Sequence, residues 1–126
     1  MEAASQPEQL NQEGFDAFRQ HAEGSGPVVM LNLLRFRPDG GQERYAEYGA
    51  AVAPLLEKVG ARIVFAGQAA APLLGGDAWD LVALVEYPSR QAFLEMVSSP
   101  EYGAIGHLRT EALTTGELHP MSPAAL

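Results

Sequence analysis

The side chains best suited to chemistry are few and lie far apart in the chain. Asn32 sits inside the run Gly26–Phe36, which is otherwise apolar except for Arg35. A buried amide without partners costs on the order of 1–3 kcal/mol. Asn32 therefore either orients a substrate carbonyl, a phenol or a bound oxygen species, or bonds to a helix terminus or a buried water. Tyr45 and Tyr48 are three residues apart and share a helical face. Their hydroxyls can line a pocket or mark the edge of a core. Trp79 can stack on an aromatic ligand or anchor a strand end. His107 is the candidate general base, because the imidazole class of side chain changes charge near neutral pH, although a lone histidine fits a surface or capping position more often. Tyr102 and His107, five apart, do not share one face of a helix.

Metal and phosphate chemistry find little support. The chain has no cysteine, and His21, His107 and His119 fall in three separate segments without ligand spacing. Gly40-Gly41 and Gly75-Gly76 read as turns, not phosphate loops. No Ser-His-Asp order stands out, and no metal or cofactor is expected.

The elements that must position these residues follow from periodicity. Residues 7–22 carry Leu10, Phe15, Phe18 and Ala22 at near-helical spacing, with Pro7 at the start. Gly26–Phe36 is a strand covered on both sides, with Val28, Met30, Asn32, Leu34 and Phe36 on one face and Val29, Leu31, Leu33 and Arg35 on the other. Tyr45, Tyr48, Val52, Leu55, Leu56 and Val59 predict a helix over 42–59, with a kink expected at Pro54 and a stop at Gly60. Ala61–Ala71 is a second strand with Ile63 and Phe65 on one face and Val64 and Ala66 on the other. A hairpin connection, 71–77, leads to a third strand over Trp79–Tyr87. Ser89 caps a helix bearing Phe93, Met96 and Val97, and Ser99-Pro100-Glu101 starts another. Ala112–Met121 is a fourth strand, irregular near Gly116. The organisation is an N-terminal helical extension, 1–26, one domain, 27–121, and a tail, 122–126.

Composition bounds the function. At 126 residues, 47% hydrophobic and 19% charged, the chain reads as one soluble globular domain. A net charge of −8 argues against nucleic acid and anionic membrane surfaces. The N-terminus lacks a basic region followed by an apolar one, and no apolar run approaches a membrane span. With no cysteine, a cytoplasmic setting is expected.

The order strand, helix, strand, strand, helix, strand is the ferredoxin-like α+β arrangement, a four-stranded antiparallel sheet with helices on one face. The opposite face would carry Val29, Leu31, Leu33, Val64, Ala66, Val82, Leu84 and Leu113 over roughly 400 Å². An apolar patch of that size marks an interface, and a second copy about a twofold axis covers it economically. Arg35, Arg62, Asp80, Glu86, Glu117 and His119 would line its rim, with Glu86 pairing to Arg35 or Arg62 across the dimer. The alternative is a monomer whose leading helix lies over this face.

Trp79-Asp80 opening a strand that ends Val85-Glu86-Tyr87-Pro88-Ser89, followed by Ser99-Pro100-Glu101-Tyr102, resembles the domain-of-unknown-function 1330 family. The likeness covers about residues 27–121; the leading helix and the strongly apolar first strand depart from it. It implies the dimeric α+β-barrel superfamily, which includes cofactor-less monooxygenases, haem-degrading enzymes, lactone isomerases and stress-response dimers. Pockets there commonly lie between sheet and helices. Asn32 and Trp79 resemble an asparagine and a tryptophan that recur in the oxygenase branch.

The expectation is thus a homodimer with one apolar small-molecule pocket per subunit, lined by Asn32, Leu34, Tyr45, Tyr48, Phe65, Trp79, Phe93 and Tyr102, for a small aromatic or carbonyl ligand. A cofactor-independent monooxygenase or isomerase using Asn32 and His107 is the enzymatic alternative. A non-catalytic structural dimer is the third.

Overall fold

The strand Val28–Phe36 (β1) is the centre of a four-stranded antiparallel sheet. The computed structural model describes residues 8–22 and 26–124. Around β1 stand Arg62–Gln68 (β2), Leu81–Tyr87 (β3) and Leu113–Met121 (β4), in the order β2-β3-β1-β4. The helices are Gln12–Gln20 (α1), Gly41–Lys58 (α2), Arg90–Val97 (α3) and Pro100–Ala112 (α4). This is the ferredoxin-like α+β fold.

Alternation along β1 decides the two faces. Val28, Met30, Asn32 and Leu34 are buried beneath helices, while Val29, Leu31 and Leu33 are only partly covered. Opposite them, Leu81, Ala83, Val85 and Tyr87 of β3 share the covered face, and Val82, Leu84 and Glu86 share the open one. The covered core joins Val28 and Met30 to Tyr48, Val52 and Leu56 of α2 and to Phe93 and Met96 of α3.

Capping follows the sequence signals. Ser89 accepts a hydrogen bond from the Ala92 amide (3.0 Å), and Ser99 accepts one from the Tyr102 amide (3.1 Å). α2 runs through Pro54 and ends at Val59, with Gly60 at φ 80°, as a glycine stop requires. α1 begins at Gln12, where the Asn11 side chain caps it; the proposed start at Pro7 lies outside the described residues.

Three sequence expectations change. α1 does not cover the open face: Phe18 packs edge-on against Phe93 (5.5 Å) on the helical side. In β2 a bulge between Ile63 and Phe65 inserts one residue, so Phe65 sits opposite Leu84 and is turned to the open face, 56% exposed. Strict alternation had placed it with Asn32, and the same bulge returns Ala66 to the covered side opposite Ala83. In β4 a register shift at Arg35/Phe36 puts Leu113 opposite Phe36, fully buried under the helices, not on the open face.

Candidate functional site

α4 turns one stripe inward: Tyr102, Ile105, Arg109 and Ala112, spaced three, four and three apart. Arg109 is the surprise on that stripe. It is 8% exposed in a layer otherwise filled by apolar and aromatic groups. Its guanidinium grips Glu8 along one edge, Nε donating to Oε1 and Oε2 (3.1 and 3.0 Å) and Nη2 to Oε2 (2.8 Å). The guanidinium carbon lies 5.9 Å from the Tyr48 ring centre.

Two tyrosines complete the polar cluster. The Tyr48 and Tyr102 hydroxyls share a hydrogen bond of 2.9 Å, and their rings meet edge to face. Tyr45 leans on Tyr48 (5.4 Å) and on Phe36 (5.5 Å). Burial raises the pKa of Tyr48, and the neighbouring Tyr102 adds to the rise. Burial likewise raises Tyr45. For Arg109 burial works against the charge, yet the Glu8 carboxylate holds the pKa above its ordinary value. Arg109 is thus a fixed cation, and Tyr48 keeps its hydroxyl proton and can share it only as a hydrogen bond.

Glu8 reaches this place because Gly116 leaves room. A Cβ at Gly116 would lie 2.7 Å from Glu8 Cγ and 2.8 Å from its Oε2. Gly116 pairs with Leu34 across β1 and β4, so the carboxylate rests on the covered face at the level of Leu34, one pair along that face from Asn32 and Leu118.

Asn32 is 6% exposed, and its amide nitrogen donates to the carbonyls of Met30 (3.2 Å) and Ala83 (3.4 Å). Its Oδ1 accepts no hydrogen bond among the described residues. The amide ties β1 to β3, and Asn32 lines neither of two surface clefts formed by the described residues. One of those clefts, about 750 Å³ and open to solvent, lies beyond Tyr45 between Phe36, Arg37, Gln68 and Leu81.

The remaining sequence candidates disperse. Phe93 belongs to an aromatic cluster with Phe18 and Tyr87. Trp79 precedes β3 and lies under the Arg35 guanidinium (4.9 Å), which also donates to the Ala78 carbonyl. His107 is exposed because it falls off the inward stripe of α4, two residues from Arg109. Glu86 pairs with Arg62 at 3.0 Å within the same chain. Asp80 accepts the Phe36 amide hydrogen bond (2.8 Å). No group of three or more His, Asp or Glu could hold a metal ion among the described residues.

Sequence reasoning gathered Asn32, Tyr45, Tyr48 and Tyr102 and missed Arg109 and Glu8. The helical period could have found Arg109, seven residues after Tyr102. Glu8 carries no such signal.

The architecture defines a ferredoxin-like protein with a polar cluster enclosed between sheet and helices. The chain belongs to the family described as Domain of unknown function (DUF1330), whose model matches residues 40–118. A crystal structure of RPA0582, a protein of unknown function from Rhodopseudomonas palustris, is 35% identical, covers 94% of this chain and 97% of its own, and superposes with a TM-score of 0.85. A dimeric ferredoxin-like protein of unknown function from Jannaschia is 13% identical over 78% of this chain and all of its own (TM-score 0.64). A dimeric protein of unknown function from Bacteroides fragilis, also with a ferredoxin-like fold, is 17% identical over 76% and 95% (TM-score 0.52). No curated protein matches the chain. No helix among the described residues is long and apolar enough to cross a membrane.

Proposed function

We propose that the protein is a homodimer, joined through the open sheet faces, that binds a small molecule in the layer between each sheet and its helices. The observation that carries the binding reading is Arg109, a buried cation beside the hydrogen-bonded Tyr48–Tyr102 pair. A fold of this size gains nothing in stability from such a charge that an apolar residue would not supply. Its place beside the Tyr48–Tyr102 hydroxyl pair supports recognition of a polar group on a small, otherwise aromatic or carbonyl-bearing ligand. The high tyrosine pKa values favour hydrogen-bond donation over proton abstraction, which supports binding above catalysis. The dimer reading is supported by the apolar row Val29, Leu31, Leu33, Val82 and Leu84, half-covered in the single chain, and by the dimeric state named for two proteins of the same fold.

Thermal denaturation against a panel of phenols, quinols and lactones tests the reading. At least one class is expected to raise the melting temperature of the wild type and to lose that effect in Tyr48→Phe/Tyr102→Phe. Assaying the panel for turnover, with Asn32→Ala alongside, separates an enzyme from a binding protein. Failure of every class to stabilise the wild type would overturn the proposal.

A further inference from the structure

The Arg109–Glu8 contact has the geometry of a binding site holding an occupant. Glu8 lies outside the βαββαβ unit, on the short segment that leads into α1. It offers a carboxylate to the Nε–Nη2 edge of a guanidinium almost wholly shielded from water. Little else fastens that segment: Leu10, two residues on, is 69% exposed. The receiving surface is shaped for the guest. At Gly116 any side chain would collide with the guest, since a Cβ there would lie 2.7 Å from Glu8 Cγ, and Leu118, next on that face, is 42% exposed and apolar.

We propose that Arg109, Gly116, Tyr48 and Tyr102 form a site for a small monocarboxylate with an apolar or aromatic body, and that Glu8 is its built-in stand-in. This rests on the ligand-binding reading above and gives that ligand its chemical class. The incoming carboxylate takes the bidentate position on Arg109, while its body lies over Gly116 and Leu118 toward Asn32. Glu8 swings out to solvent. A tethered competitor acts as though present at a fixed high concentration, so the wild type binds an external carboxylate only by the fraction of time Glu8 is away. The cation is never left bare, because one carboxylate replaces the other.

The probes are benzoate and its neutral isostere benzamide, titrated calorimetrically into wild type, Glu8→Gln and Arg109→Gln. Glu8→Gln is expected to bind benzoate at least about tenfold more tightly than wild type, since the internal competitor is gone. Benzamide should show no such gain, and Arg109→Gln should bind neither. Equal benzoate affinity in wild type and Glu8→Gln, or an equal gain for benzamide, would overturn the proposal. If Glu8→Gln does not fold, the Arg109 Nε–H resonance of the wild type answers the question: displacement by benzoate alone supports the site, and no displacement overturns it. Phenols or lactones that still stabilise the protein while benzoate fails would sink this inference and leave the broader reading standing. Failure of all probes would sink both.

Discussion

Two ends of one layer, a few residues apart along β1, are built on opposite plans. At the Val28 end, Phe18, Tyr87 and Phe93 close the space with edge-to-face rings at 5.5 and 5.2 Å. Toward Leu34, whose partner on β4 is Gly116, the same layer holds a guanidinium and its carboxylate, with the bonded hydroxyls of Tyr48 and Tyr102 reaching them from the apolar cluster. The first end buries apolar area and fixes how α1 and α3 sit on the sheet. The second takes a charge out of water, which costs several kcal/mol before pairing repays it. One end serves stability and the other is the proposed recognition site, and the two can be pulled apart by substitution.

One test lies on neither end but on the open face behind them. Leu31→Asp places a charge in the middle of the apolar row and is expected to weaken the proposed dimer more than about a hundredfold, a cost of roughly 3 kcal/mol. Sedimentation checks it; an unchanged dimer would place the interface elsewhere. Within the layer, Phe93→Ala should cost about 3–5 kcal/mol in urea unfolding, because its cavity opens against Phe18 and Tyr87 together. A loss under 1 kcal/mol would remove the stabilising role given to the aromatic end.

Alkaline pH probes both ends at once. Burial raises the pKa values of Tyr45, Tyr48 and Tyr87 above the ordinary 10.0. Above that pH the unfolded chain loses protons that the folded chain keeps, so the unfolded state binds fewer and stability falls as pH rises. Each such tyrosine removes about 1.4 kcal/mol per pH unit until its folded pKa is reached. Tyrosinate absorbance should therefore rise together with unfolding; ionisation of most tyrosines in the intact fold would contradict the burial. Smaller again is Tyr48→Phe, which breaks one hydroxyl pair and should cost about 1 kcal/mol by thermal unfolding.

Much of this was legible in the sequence. The strand order, the helix-facing set Val28, Met30, Asn32 and Leu34, and the caps Ser89 and Ser99 all follow from alternation and capping chemistry. What escaped are departures from strict period. One inserted residue in β2 carried Phe65 to the other face, and a register shift in β4 buried Leu113. A bulge leaves no signature in apolar alternation when both faces are apolar, as they are here. The site was half legible. The tyrosines stand on an apolar stripe where a pattern finds them, and Arg109 stands on the same stripe. Glu8 arrives by a contact spanning 101 positions, and no local pattern encodes a meeting at that range. Asn32 was singled out for its chemistry, and it proves to spend its amide nitrogen on the backbone of β1 and β3.

The division between the two ends is tested most directly by the urea unfolding free energy of Arg109→Met. Methionine fills the volume without a charge, and Glu8, partly exposed already, is free to turn to water. A stability within about 1 kcal/mol of wild type, or above it, is expected of a cation kept for recognition. A loss of about 3–5 kcal/mol, matching Phe93→Ala, would show that the ion pair holds the fold together and would contradict the assignment of that end to a ligand.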